Sequence, residues 1–344
     1  IDEFFDYPAQ SNYTYPNLNT AIFGEQLMYI SDKLSLTPGF RFEYIKTESL
    51  GYVKRINLDQ AGNVILNQTE YYDDLRERSF LLLGLGASFK PNSFVEFYGN
   101  ISQNYRSVTF ADISIINPAF VINPDISDEK GYTMDIGARG KIKNLISYDL
   151  SLFSLLYDDR IGFLEKLFPD GNVRSERGNI GRARIFGFES IVDFNIFKIL
   201  DKDSEINANL FFNTSIIDSK YTQSDANGIE GNRVEFVPRF NFKSGFKLSY
   251  KKIIFNLLYS YISDQFTDAT NAELGNLSGV IGLIPEYDIL DFGCSYDMDS
   301  IILEAGVNNI FDNAYFTRRA TGYPGPGIIP SPPRNFYLTM QYNF

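Results

Sequence analysis

Along the segment Arg334-Asn-Phe-Tyr-Leu-Thr-Met-Gln-Tyr-Asn-Phe344, apolar side chains fall on every second position: Phe336, Leu338, Met340, Tyr342 and Phe344. Asn335, Tyr337, Thr339, Gln341 and Asn343 fill the gaps. A period of two puts one greasy and one wet face on a strand. The closing strand of an outer-membrane barrel carries this pattern, because one of its faces meets hydrocarbon and its backbone completes the sheet.

The same alternation recurs upstream. It predicts strands over 18–31, 34–46, 80–90, 94–107, 130–142, 146–164, 174–196, 206–221, 233–250, 253–267, 285–298, 301–315 and 335–344. In the fourth, Val95, Phe97 and Ile101 face outward, and Glu96, Asn100, Ser102 and Asn104 face inward. In the fifth, Tyr132, Met134 and Ile136 oppose Thr133, Asp135 and Arg139. Very short spacers (Asp32-Lys33, Pro91-Asn92-Ser93, Lys143-Asn144, Lys251-Lys252) alternate with long Gly-, Pro-, Asn- and Asp-rich ones, including 47–78. Tight turns at one end and long loops at the other are the habit of a transmembrane barrel. The fold class expected is all-β, an antiparallel transmembrane β-barrel. About thirteen strands is an odd number, which leads us to expect the carboxy-terminal portion of a larger barrel with about nine earlier strands outside it. Residues 1–344 are expected to form one unit. Ile1 does not open a signal peptide, so a mature or partial chain is expected.

Composition narrows the function. None of the 344 residues is His, which removes imidazole acid–base chemistry and His metal ligation. The one cysteine, Cys294, allows no internal disulfide and shares the parity of Leu290, Phe292 and Tyr296. It is read as a small apolar group. Net charge is -12, which argues against nucleic-acid binding. No run reaches the roughly 18 apolar residues of a membrane-spanning helix. With 31 Phe, 23 Tyr and no Trp, the interfacial aromatic girdle falls to Phe and Tyr.

Three segments carry a resemblance to a known family. They are Glu304-Ala-Gly-Val-Asn308-Asn309-Ile-Phe311-Asp312-Asn-Ala-Tyr315-Phe-Thr-Arg-Arg319, the final strand ending on Phe344, and Gly178-Asn-Ile-Gly-Arg182-Ala-Arg184-Ile-Phe-Gly187-Phe-Glu189. Leu36-Thr-Pro38-Gly39-Phe40-Arg41-Phe-Glu43 adds to them. The chain resembles the TonB-dependent outer-membrane receptors. The tail Phe316-Thr-Arg-Arg319-Ala-Thr-Gly-Tyr323-Pro-Gly-Pro-Gly327 is similar to the ferric dicitrate type. The resemblance implies a 22-strand barrel filled by an amino-terminal plug. It also implies a short box that engages TonB and its inner-membrane energising complex. The plug and the box are not found in this sequence. The implied activity is import of a ferric chelate, ferric citrate or another siderophore, with iron as cargo and no cofactor of its own. No enzymatic role is expected.

An anionic chelate is best gripped by guanidinium forks and amide donors. The candidates on wet-face parity are Arg106, which follows Asn100, Ser102 and Asn104; Arg177 and Asn179, which share the parity of Gly187, Glu189, Asp193 and Asn195; and Arg318, which shares that of Glu304, Gly306 and Asn308. Each also has a simpler reading, pairing with a loop carboxylate or a lipid phosphate. Arg182 and Arg184 fall on lipid parity with Phe186, Phe188 and Phe194, and so belong at the outer headgroup level. Glu96, Asp135, Glu189, Asp193 and Glu304 point inward, toward lumen arginines or plug groups. Tyr315 and Tyr323 belong to the girdle or the ligand path. Gly325-Pro326-Gly327 lacks the Lys-Ser/Thr of a phosphate loop. Passive diffusion through an open channel, import of a non-iron cargo such as an oligosaccharide, and a soluble all-β binding protein are the competing readings.

Overall fold

The computed structural model describes residues 11–113, 120–143, 145–169, 171, 173–196, 206–276, 279–320 and 327–344. The loop signals Asn117-Pro118, Asp201–Glu205 and Tyr323–Pro326 lie outside them, as does Ile1–Phe5.

At the first edge of the sheet, β1 (Ser11–Thr14), β2 (Asn17–Glu25) and β3 (Met28–Tyr29) pair in turn along β4 (Leu34–Leu58). Then come β5 (Val64–Asn92) and β6 (Val95–Arg106). A short helix α1 (Phe110–Ile113) and strand β7 (Phe120–Ile122) interrupt the meander. It resumes with β8 (Glu129–Ile142), β9 (Ile146–Leu167), β10 (Val173–Asn195) and β11 (Ile206–Gln223). β12 (Phe240–Tyr250), β13 (Ile253–Ile262), β14 (Tyr287–Asp297) and β15 (Ile301–Asn308) continue it. β16 (Phe316–Ala320) and β17 (Gly327–Pro330) form a separate hairpin, and β18 (Asn335–Tyr342) pairs with β15. Each neighbour along the main path is antiparallel, and only β7 joins in parallel, to β10. The result is one open sheet with β1–β3 at one edge and β18 at the other.

In β5, β6 and β8 side-chain exposure follows the expected alternation. Leu81, Leu83, Leu85 and Phe89 of β5, Phe97 and Ile101 of β6, and Tyr132, Met134 and Ile136 of β8 form an exposed apolar face. Near the tight turns, Tyr29, Phe94, Tyr250 and Tyr296 are exposed and supply the girdle without Trp. At the far end the outward face changes character. There Lys46 faces Glu77, Arg182 pairs with Asp158 at 2.5 Å, and Arg184 with Asp218 at 3.6 Å. Arg182 and Arg184 are thus exposed and paired with carboxylates on the outward face of β10.

Several elements depart from the sequence reading. Residues 47–78 are not a long loop. β4 and β5 run on together as a hairpin whose register holds from Leu34↔Phe89 to Asn57↔Leu66. Its tip is an Asx turn, in which Asp59 Oδ1 accepts from Ala61 N and Asn63 N at 2.9 and 2.8 Å, with Gly62 left-handed at φ 84°. β12 begins at Phe240 rather than 233, because Phe236 is left-handed (φ 59°) and Arg233 is drawn into a loop by Asn271 and Asp264. β15 stops at Asn308 rather than 315. Asn309, 2% exposed, folds the chain back by exchanging side-chain and backbone bonds with Asn313 at 2.9 and 3.0 Å. The Asn-Asn-Ile-Phe-Asp motif is therefore a strand terminator.

Most buried apolar side chains gather in two clusters toward the long-loop end: Ile180, Ala183, Ile185, Tyr221, Ile229, Val234 and Ala269; and Val108, Ile126 and Ile161 with Phe110 and Ile122. The outer loops are folded onto the inner face and fix side chains there.

Candidate functional site

The outer ends of β5, β6, β9 and β10 each bring arginine to the inner face, and the β6–β8 loop is laced across them. On β5, Arg76 and Arg78 share a parity with Leu82, opposite the lipid-facing leucines. Arg78 Nε donates to Asp128 Oδ1 at 3.0 Å, and its Nη2 donates to Val108 O at 3.1 Å. Asp128 also accepts the Val108 amide at 2.7 Å and the Tyr105 hydroxyl. Arg76 donates to Ile126 O. On the opposite side Asn179 clasps Ser127. Its Oδ1 accepts the Ser127 amide at 2.7 Å, and its Nδ2 donates to Ser127 O at 2.9 Å. β7 adds backbone pairing with Ser175, Glu176 and Arg177.

Asp112 of α1 is the electrostatic centre of this lacing. It is completely buried. Arg106 Nη2 donates to both its oxygens at 3.2 Å. Arg177 Nη2 pairs with Oδ1. The Thr109 amide and hydroxyl donate to Oδ2, each at 2.7 Å. Burial alone raises a carboxyl's pKa. Here the Thr109 bonds and the two guanidinium charges outweigh it and hold Asp112 below its ordinary value. Arg106 spans two carboxylates, since its Nη1 donates to Glu129 Oε1 at 3.0 Å, and Glu129 also accepts the Ile161 amide at 2.7 Å.

Beside this cluster lies a cavity of about 540 Å³ lined by Asn104, Tyr105, Arg106, Glu129, Thr133, Tyr157, Arg160 and Ile161. That volume is in the range of a small-ligand site. Arg160 Nη2 donates to Glu235 Oε1 at 3.1 Å, while Tyr221 donates to Glu235 Oε2 at 2.7 Å. The Nε groups of Arg160 and Arg177 are buried and have no hydrogen-bond partner among the described residues. A buried donor without an acceptor costs free energy that a bound anion would recover.

Of the residues singled out from the sequence, the fold brings Arg106 and Arg177 onto one carboxylate and sets Asn179 next to them, holding the same loop. Arg318 does not join them. It lies exposed in β16, outside the main sheet, so the parity drawn from Glu304 does not reach it. Its neighbour Arg319 has the structural task of donating to Gly279 O and Leu283 O at 2.9 Å each. Arg76, Arg78, Arg160 and all the partner carboxylates escaped the sequence reading. Arg76 and Arg78 were legible in the Arg-Glu-Arg spacing above Phe80 and Leu82. Arg160 was not, because irregular pairing around Asp159 and Gly181 disturbs the parity there. Of the inward carboxylates, Glu96 meets Arg139 at 3.0 and 3.1 Å and Ser88 at 2.6 Å near the tight-turn end.

No curated protein matches this sequence. Among solved structures, the chain is similar to the ferric yersiniabactin uptake receptor FyuA from Yersinia pestis, with 16% identity, TM-score 0.71, and coverage of 97% of this chain and 47% of that one. It is similar to the ferric citrate transporter FecA in its unliganded form, with 18% identity, TM-score 0.68, and coverage of 96% and 54%. It is also similar to the copper transporter OprC, with 16% identity, TM-score 0.72, and coverage of 96% and 49%. The chain spans about half the length of these structures. At such identities the likeness speaks for the fold. Residues 2–310 match the family model described as TonB dependent receptor-like, beta-barrel, and the chain belongs to that family.

Proposed function

We propose that this protein binds an anionic ferric chelate, ferric citrate or another siderophore, at its outer mouth. Import across the outer membrane would then be driven by TonB and its inner-membrane complex through segments outside these residues. In this reading residues 1–344 are the carboxy-terminal part of a larger barrel. The observation that carries it is the cavity with Arg106 and Arg160 in its wall and a buried, unpartnered guanidinium Nε on Arg160. That arrangement suits a compact ligand rich in carboxylate or phenolate oxygens. The printed ligands of FyuA and FecA, both ferric chelates, point the same way.

The direct test is titration of the detergent-solubilised protein with ferric dicitrate and with other ferric siderophores. Removing a charged donor costs about 1.5–3 kcal/mol, so Arg106→Ala and Arg160→Ala are each expected to weaken binding by about tenfold or more. Unchanged affinity in both would remove the cavity from consideration.

A second reading has one observation in its favour. Tyr13 stacks on Tyr15 at 5.8 Å, and Tyr15 meets Phe110 of α1 at 4.8 Å. Aromatic faces of this kind also take sugar rings, and an oligosaccharide that binds while ferric chelates do not would establish that cargo.

A further inference from the structure

Resting on the anionic-cargo reading, we infer that the Arg106–Arg177 pair is a carboxylate-binding site that the chain fills with its own Asp112. A carboxylate of the cargo takes that place by exchange and frees the α1 segment. Asp112 is held as a ligand is held. Its two oxygens receive both guanidinium groups and the Thr109 amide and hydroxyl, and the side chain has no solvent exposure. Yet the fit is incomplete on one side. Arg177 contributes Nη2, while its Nε is buried without a partner among the described residues. An independent carboxylate can lie side-on against Nε and Nη2 together, which Asp112 does not do. A cargo with several carboxylates can also meet Arg160 in the wall of the neighbouring cavity. The internal ligand has the advantage of tethering. The external one satisfies donors that the internal one leaves empty.

The consequence is mechanical. Asp112 is the side-chain contact of α1 with Arg106 and Arg177, and the remaining ties hold Val108 (its carbonyl to Arg78, its amide to Asp128) and 126–128 (Arg78 to Asp128, Asn179 to Ser127). Displacing Asp112 therefore loosens 109–112 and leaves Val108 and 126–128 clasped. Cargo binding and loop release are one equilibrium, and each biases the other by the same factor.

The test begins without iron. In the detergent-solubilised Asp112→Ala protein, hydrogen exchange in 107–112 is expected to rise. Added formate or acetate is expected to restore protection, and chloride at equal ionic strength is not. The same rescue is expected to fail when Arg106→Ala and Arg177→Ala are added. Should Asp112→Ala not fold, Asp112→Ser, whose short side chain also empties the pair, is read in the same way. Failure of formate and acetate to restore protection in a folded variant overturns the inference. With ferric dicitrate, wild-type protein is expected to show faster exchange in 107–112 on binding, and Asp112→Ala to bind about tenfold more tightly because the internal competitor is gone. Tight binding with no change in the loop and no gain in the variant also overturns it. If formate rescues but no ferric chelate binds, the carboxylate site stands and the ferric-chelate reading falls.

Discussion

At the scale of single residues, two buried aspartates in the outer loops respond to pH in opposite directions. Asp112 is stabilised as a carboxylate by Thr109, Arg177 and Arg106, and its folded pKa lies below its ordinary value of 3.8. Its contribution is complete above that ordinary value and is lost as pH falls through the depressed one. Asp268 is the reverse. Burial raises its pKa, with Glu165 and Glu235 adding to the rise against bonds from Thr270 and the Ala272 amide. Its Oδ1 is buried without a partner among the described residues. Its ionised form is disfavoured in the fold, so the loop around it gains stability as pH falls through the raised pKa. As pH falls toward the ordinary value of 3.8, 264–272 is thus expected to tighten, and only below that value is 107–112 expected to loosen, as read by hydrogen exchange corrected for the intrinsic rate. Asp268→Asn removes a buried charge with an unmet acceptor. It is expected to stabilise that second loop at neutral pH by about 1 kcal/mol and to abolish its pH response.

At the scale of elements, strand pairing is set by what each strand lays across its neighbour. Tyr337 of β18 lies opposite Gly306 of β15. A Cβ built on Gly306 would stand 2.5 Å from the Tyr337 ring, closer than carbon atoms approach, so the bare glycine seats the aromatic and fixes the register of the last pair. Gly306→Val is expected to destabilise the barrel by about 1–3 kcal/mol through overpacking. Adding Tyr337→Ala is expected to recover part of that loss. Thermal loss of the compact electrophoretic form is the readout, and strictly additive effects would show that the two side chains do not meet. The β4–β5 hairpin teaches the converse lesson. Above the apolar band both its faces are polar enough that no alternation shows in the sequence. The strands persist because their backbones stay paired and the Asp59–Asn63 turn joins them. Ser49, Thr47 and Val53 are nevertheless buried. Their burial comes from what lies over the hairpin, and no local pattern announces it.

At the scale of the whole molecule, the sheet separates two solvents. Leu85 sits midway between Leu81 and Phe89 on the exposed apolar face. A lysine there would lie near the bilayer midplane, and Leu85→Lys is expected to cost about 2–4 kcal/mol. Leu82→Lys, on the inner face, is expected to cost much less. Equal penalties, measured by unfolding in lipid vesicles, would contradict the assignment of faces. The antiparallel meander and, in β5, β6 and β8, which side carries the exposed apolar residues were determined by the sequence alone, because a period of two is a local property. The end of β15 at Asn309 and the start of β12 after Phe236 were not, because a side-chain amide or one left-handed residue can stop a strand whose alternation continues. Parity also nominated Arg106, Arg177 and Asn179 as inward polar groups, and misplaced Arg318 once the chain had left the sheet. Only the tertiary structure decided that Arg106 and Arg177 meet on Asp112, that Arg160 borders the same cavity, and that the β6–β8 loop lies across them. Those contacts join residues far apart in sequence through a loop with no periodicity, and long-range charge pairing leaves no imprint on the local pattern of either partner.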